Sequence, residues 1–425
     1  TGIVAGIVPA VAARRSLAQS LRDGTAAAGE GVRRQRLRAT LVVAQVAVSF
    51  ALVVSAGLML KSLYALSAVP LGYDTERVMT ANIYGNFSRM SSAQEALRIQ
   101  YGVLERLRAA PSVNSAAITN AVPQSETQPS PRRIRIEGRQ AADGRPFEAD
   151  ANVVSDGYFE TLGVPLLAGR DVRETDTGDT PPVAVINRSM AAFWDGANPV
   201  GSRITADDDR TEPRWITVVG VVDDFRLYAV DRPVTAEVYI PLGQAGFAGR
   251  ILVRTDADPG VAAATIRAAV HEVDREIPVE DIRSLAQLRN ERLAAPRLTS
   301  ALLSVFAAVA LLVTLVGIGG LIGTSVSQRT RELGLRMALG ATRRSVLELV
   351  LRQGLGLVGA GLLIGLLAAL AFGRLIARFL FETTPADATV LAGVMVVFVA
   401  GALVAVLGPA RRATAVDPLI ALKVD

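Results

Sequence analysis

The sequence predicts a membrane α-helical protein with four transmembrane helices and a large α+β extracytoplasmic domain. Three observations carry this. Apolar residues are 50% of the 425-residue chain, no more than in a soluble domain, but they gather in four uncharged runs. One long segment between the first two runs alternates strand-like and helix-like patterns. Charge is divided as well: residues 64–296 hold 25 Arg against 32 acidic residues, −7, and the remainder is +12. Length alone suggests roughly two to three domains.

Residues 1–23 read as the tail of a preceding, homologous unit. Ile7-Val-Pro-Ala10, Arg14-Arg15 and Ser20-Leu-Arg-Asp23 parallel Leu407-Gly-Pro-Ala410, Arg411-Arg412 and Ala421-Leu-Lys-Val-Asp425 with a one-residue gap. Coincidence in an Ala/Arg-rich context is the competing reading. Residues 24–38 form a cytoplasmic linker ending in Arg33, Arg34, Arg36 and Arg38. Residues 39–60 are the first span: 22 residues without a charge, enough at ~1.5 Å per residue to cross a ~30 Å hydrocarbon core.

Residues 64–296 form the external domain. Strand 77–84, helix 92–110 and strand 113–120 answer strand 250–255, helix 259–276 and strand 279–284. Two βαβ units bracketing an insert predict a split βαβ, ferredoxin-like layer. The insert is β-rich, with strands at 132–137, 147–154, 183–187, 215–222 and 237–240.

Residues 298–328 are uncharged for 31 positions, ~46 Å as a helix. The second span (298–326) is therefore expected to tilt or to project as a stalk. Spans three and four are 349–373 and 388–410, and 411–425 is a cytoplasmic tail. Twelve basic residues flank the inside of this arrangement and four the outside (Lys61, Arg297, Arg374, Arg378), as the positive-inside rule requires.

Between spans two and three lies 327–344, with five arginines, one acid (Glu332) and the i,i+4 pairs Leu333/Met337 and Leu335/Leu339. This reads as a basic amphipathic helix at the cytoplasmic surface. Gly319-xxx-Gly323 and Gly361-xxx-Gly365 suit close helix packing, within the chain or in a dimer. Gly354-x-Gly-x-x-Gly359 matches a dinucleotide fingerprint in spacing only; it follows no strand and opens a membrane run, so helix packing is the better reading.

Other chemistry finds little support. With no cysteine there is no disulfide or thiol chemistry. His271 is the only histidine and has no companion ligands. Asp207–Asp209 and Asp223-Asp224 lack calcium-loop spacing and read as solvated loop and strand-end carboxylates. There is no P-loop, no Gly-x-Ser-x-Gly and no metalloprotease helix. Ionisable residues are missing from the depth of all four runs, against a proton- or ion-coupled carrier. The basic residues sit beside apolar spans, so they argue for membrane topology and not for nucleic acid.

Three separate signatures resemble the MacB/FtsX-type ABC transporter permeases. The first is Arg329-Thr-Arg-Glu-Leu-Gly-Leu-Arg-Met-Ala-Leu-Gly-Ala-Thr342. The second is Pro409-Ala-Arg-Arg412 with Asp417-Pro-Leu-Ile-Ala-Leu422. The third runs from Asp156-Gly-Tyr-Phe-Glu-Thr-Leu-Gly-Val-Pro165 through Gly169-Arg-Asp171 to Val219-Gly-Val-Val-Asp223. The resemblance covers 32–425 in the family's order. It implies a periplasmic core with porter-like and sabre-like subdomains, a bacterial inner-membrane location, and a coupling helix that docks on a cytoplasmic ABC ATPase. The docking residues implied are Arg329, Arg331, Glu332, Arg336, Met337 and Arg343. The chain itself would bind no cofactor, ATP being used by the partner subunit. A second permease unit, as homodimer or tandem repeat, and a periplasmic adaptor or substrate are the other partners implied. Residues 1–23 suggest the tandemly duplicated, acidobacterial-type subgroup. A membrane-anchored regulator of a periplasmic partner, rather than a transporter, is the rival reading.

Overall fold

The computed structural model describes residues 27–83, 92–125, 129–140, 146–205, 214–339, 341–377 and 380–414. The expected preceding-unit tail (1–23), the Asp207–Asp209 loop, Gly340, Arg378, Lys423 and the Asp417–Leu422 signature lie outside the described residues. The chain divides into two units, 66–296 and the pair 1–65 with 297–425.

The chain enters through α1 (Ala27–Ala68). In the 66–296 unit, β1 (Val78–Asn82), α2 (Ala93–Ala109) and β2 (Val113–Thr119) form the first βαβ. Helix α2 starts where Ser92 Oγ accepts the Glu95 N–H (3.2 Å). It turns Ala96, Gln100, Val103, Leu104 and Leu107 inward, the spacing of one helical face. The insert carries β3 (Pro131–Ile136), β4 (Phe147–Val154), α3 (Tyr158–Leu162), β5 (Leu166–Gly169), β6 (Val183–Asn187), α4 (Arg188–Ala191), β7 (Arg203–Thr205), β8 (Ile216–Val222), β9 (Glu237–Pro241) and α5 (Leu242–Ala245). The second βαβ is β10 (Arg250–Thr255), α6 (Pro259–Val273) and β11 (Glu280–Ser284).

The two βαβ units interleave in the order β11-β1-β10-β2, each neighbour antiparallel. This is the ferredoxin-like layer the sequence predicts. Both faces are covered, which is why Val78, Met79, Thr80 and Ala81 of β1 are all buried instead of alternating with exposed residues. Met79, Ala81, Ile118, Ile251 and Val253 pack under α2 and α6. Val78, Ala117 and Leu252 face Tyr158, Phe159, Leu162 and Phe225.

The insert closes on itself. Its strands run β4-β3-β7-β8-β6-β9, and β9 returns to β4 in parallel register. A closed ring leaves few free edges. Ile134, Ile186, Trp194, Ile204, Val218 and Val238 fill it. Strands β5 and β7, four and three residues long, are too short to show a period and were not visible in the sequence.

The external signature segments are structural. Asp156–Pro165 supplies left-handed Gly157 and Gly163 at the two ends of α3 and the core side chains Tyr158, Phe159 and Leu162. Gly169 and Gly220 meet where β5 crosses β8: a Cβ at Gly220 would lie 2.1 Å from Arg170 O, and one at Gly169 2.2 Å from Val219 O. Only glycine fits there.

In the other unit, α7 (Leu285–Gln328), α9 (Arg343–Ile376) and α10 (Ala388–Thr414) join α1. Among the described residues, four helices are long and apolar enough to cross a membrane: 36–68, 285–328, 343–374 and 388–411. Helix α7 begins well before the expected start at 298 and carries Pro296 within it. Charged residues up to Arg297 masked this extension in the sequence. Leu285 and Leu288 belong to the external core. The membrane helices pack through Val46, Phe50, Val54, Leu362, Phe398, Ala402 and Val406. Phe50 meets Phe398 edge-on at 5.5 Å, and the Ser49 and Thr314 hydroxyls pair at 2.6 Å. Lys61 Nζ reaches Asp387 at 2.5 Å.

Candidate coupling segment between the second and third membrane helices

The polar stretch folds as a short helix, α8 (Thr330–Ala338). It is set off from α7 by Arg329, whose backbone leaves helical values (φ −107°, ψ 14°). Thr330 Oγ1 donates back to Val326 O (3.1 Å) and Ser327 O (2.9 Å), using carbonyls that a helix end leaves unsatisfied. Glu332 lies in the first turn and Arg336 in the last, as the helix dipole favours. They pair at 2.7 Å, both half exposed, an i,i+4 contact worth about 0.3–0.5 kcal/mol. Thr342 then caps α9 by accepting the Ser345 N–H (3.3 Å).

The segment has two faces. Met337 is partly buried and packs against Val346, as Val326 does, so it seats the helix on the start of α9. Leu335 and Leu339 are 50% and 81% exposed, on a segment that also exposes Glu332, Arg336, Arg329 and Arg343. Sequence spacing did not separate the seating residue from the exposed pair. Arg331 and Leu333 are described in backbone only. Arg329 also borders a cavity of about 20 Å³ with Ser325 and Gln353, room for about one water.

The predicted packing glycines differ among themselves. A Cβ at Gly361 would meet Val46 Cβ at 2.6 Å, and one at Gly365 would meet Ala47 O at 2.9 Å, so both sit against α1. Gly319 approaches Ala405 O at 3.3 Å, whereas Gly323 faces open space. Gly354 lies against Val406, and Gly356 and Gly359 have nothing within 4 Å; all three are inside α9, with no strand before them.

Among the described residues no group of His, Asp and Glu could hold a metal ion. His271 is exposed on α6. Asp223 pairs with Arg188 at 3.0 Å. Asp224 accepts the Ser189 N–H (2.9 Å) and hydroxyl (2.7 Å). Sequence reasoning missed two buried carboxyls, Glu237 on β9 and Asp150 on β4. They are register partners in the parallel pair and are 1% and 3% exposed. Burial pushes the Glu237 carboxyl up to about 8, reinforced by Asp150 and Asp224 and opposed by the hydrogen bond from Tyr239. Burial also raises Asp150. The signal available in the sequence was one acid in an otherwise apolar strand, Glu237-Val-Tyr-Ile-Pro241.

Two family models match the chain. The MacB-like periplasmic core domain matches residues 39–273, and the FtsX-like permease C-terminal region matches 304–414. Among curated relatives, the macrolide export ATP-binding/permease protein MacB of Azoarcus sp. (strain BH72) is 28% identical over 292 residues, 66% of this chain and 43% of that protein. The probable syringafactin export ATP-binding/permease protein SyfD of Pseudomonas syringae pv. tomato is 27% identical, over 65% of this chain and 42% of its own length. The chain thus spans less than half the length of these relatives. Among solved structures, the periplasmic region of MacB from Actinobacillus actinomycetemcomitans aligns with 52% of this chain and 94% of its own, at 18% identity and a TM-score of 0.36. Because the first family model covers more than half of the sequence, the chain belongs to the MacB-like periplasmic core domain family, here joined to an FtsX-like permease region.

Proposed function

We propose that the chain is a permease subunit of a MacB/FtsX-type ABC transporter. It transmits ATP-driven conformational change from a cytoplasmic ATPase to its periplasmic domain, for export or envelope substrate handling. The observation that carries this is α8: a short helix with exposed Glu332, Leu335 and Arg336, followed at once by exposed Leu339, between two helices able to cross a membrane. Topology needs only charge there. An apolar pair beside charges on an exposed helix suits a protein partner. The sequence has no P-loop, and the relatives' names join an ATP-binding part to the permease part. The ATP in this reading is bound by a separate subunit. The membrane is the bacterial inner membrane, and a second permease unit completes the assembly.

The test uses the full chain reconstituted with its ATPase. Arg331→Glu with Arg336→Glu leaves membrane insertion intact and abolishes the coupling of ATP hydrolysis to transport. Replacing the Arg336–Glu332 contact by a like-charge pair costs α8 only about 0.4–1 kcal/mol, so lost coupling would report docking and not unfolding. Coupling unchanged in the double variant would overturn the docking role.

A further inference from the structure

The external domain holds a cavity of about 180 Å³ outside both the signature segments and α8, lined by Phe225, Leu227, Tyr228, Val234, Thr235 and Glu237 among others. A cavity on the order of 150 Å³ takes one benzene ring, so the space is ring-sized. Glu237 is among the lining residues, and only 1% of it is exposed. Its Oε2 accepts the Tyr239 hydroxyl, and its backbone N–H donates to Asn187 Oδ1 (3.0 Å).

Beside it, Asp150 Oδ2 accepts the Thr235 hydroxyl (2.9 Å), and Asp150 Oδ1 has no hydrogen-bond partner among the described residues. Asp224, the third carboxyl nearby, is occupied by Ser189. Among the described residues no arginine or lysine forms an ion pair with Glu237 or Asp150. Arg226 and Arg232 also line the cavity; the Arg226 Nη1 donates to Val230 O (3.0 Å) and to Arg232 O, and Arg232 is exposed to solvent. The cavity therefore combines a largely apolar lining with one buried carboxyl, Glu237, that forms no ion pair with an arginine or lysine among the described residues. A buried carboxylate without a cation costs several kcal/mol. A bound proton relieves that cost, and so would a ligand's ammonium group.

We infer that this cavity binds a ring-sized apolar molecule bearing a protonated amine, its ammonium on Glu237 and its ring between Phe225, Leu227, Tyr228 and Val234. The site is a feature of the external domain and does not depend on ATPase docking. The charged contact supplies selectivity for a cation over a neutral molecule of the same shape.

The probe is phenethylamine, titrated calorimetrically into the purified full chain in detergent, with 2-phenylethanol and 3-phenylpropionate as neutral and anionic counterparts. Phenethylamine binds once per chain, at least about tenfold tighter than 2-phenylethanol, the size of one charged hydrogen bond. Near pH 7 its binding releases a proton, read from the dependence of the heat on the buffer's ionisation enthalpy. Glu237→Gln abolishes both the proton release and the preference for the amine. Ala229→Phe fills the cavity with the carboxyl intact and removes binding of both molecules, so the inference stays testable if Glu237→Gln fails to fold. Equal binding of amine and alcohol, preference for the acid, no binding by the folded chain, or full amine binding by either variant would overturn it.

Discussion

The two units treat apolar and polar groups in opposite ways. In the 66–296 unit, only Leu166, Leu167 and Val261 are large hydrophobics left exposed among the described residues. In the membrane unit a whole face of α7 is exposed: Leu298, Leu302, Val305, Phe306, Val309, Leu312, Val313 and Val316. Buried polar groups reverse the contrast. The external domain buries carboxyls, Asp150 and Glu237, while the membrane unit buries hydroxyls such as Ser49, Ser300 and Thr314. The solvent explains both. Water drives apolar groups inward, and a water-facing domain gains enough from that to carry a few costly carboxyls. Lipid is as apolar as leucine, so membrane helices hold together by close packing and a few hydrogen bonds.

This contrast can be broken most directly with two aromatic truncations. Phe159 is 2% exposed and meets Tyr239 edge-on at 4.9 Å in the external core. Phe398 is 0% exposed and meets Phe50 in the membrane core. Phe159→Ala costs about 3–5 kcal/mol, combining lost transfer from water with a cavity. Phe398→Ala loses packing but little transfer energy, because its unfolded reference is also in lipid. Its cost is expected to be less than half. Both tryptophans, Trp194 and Trp215, lie in the external unit, so their fluorescence during urea unfolding reports on Phe159→Ala alone. Loss of helical circular dichroism in denaturing detergent reports on Phe398→Ala. Equal losses would mean that the membrane core is stabilised as a water-soluble one is.

The buried carboxyls sharpen the contrast through pH. Glu237 faces Asp150 on the neighbouring strand, Asp224, and the phenols of Tyr239, Tyr228 and Tyr158. Its folded-state value, about 8, lies above the ordinary 4.5. The native state therefore keeps a proton that the unfolded chain has already lost. Stability is greatest below the ordinary value and falls as pH rises towards 8, by up to about 1.4 kcal/mol per unit. Asp171, raised by burial to about 6, adds the same sign at lower pH. Between pH 6 and 8 the urea midpoint of the external unit should fall, and Glu237→Gln should flatten that fall. An unchanged slope would show that Glu237 is ionised in the folded protein.

How far the sequence reached follows the same physics. Long uncharged runs and the two outer βαβ patterns were legible because each depends on a local period repeated many times. The closure of the insert was not, since β4 pairs with β9 across more than eighty residues and β7 spans three. For α8, charge and spacing located the segment. Which residue turned inward depended on Val346 in the following helix, and Met337 and Leu339 look alike in a helical pattern. Glu237 was missed because a single acid in a short strand reads as a strand end until the segment above it is placed.

The smallest effect is the most discriminating for the membrane unit. Gly361 and Gly323 belong to the same kind of small-xxx-small pattern, yet of the two only Gly361 has a neighbour among the described residues. Gly361→Leu must displace Val46 on α1, 2.6 Å from the new Cβ, and overpacking of this kind costs about 1–3 kcal/mol. Gly323→Leu projects into open space and should change the stability of the chain by less than about 0.5 kcal/mol. If a second permease unit approaches α7 along Gly323, the same substitution should weaken assembly while leaving the monomer's unfolding untouched. Sedimentation of the detergent-solubilised chain reads that difference. Gly323→Leu unfolding as easily as Gly361→Leu would mean that α7 packs elsewhere in the chain, and that lipid-like exposure along this helix is not a guide to where partners meet it.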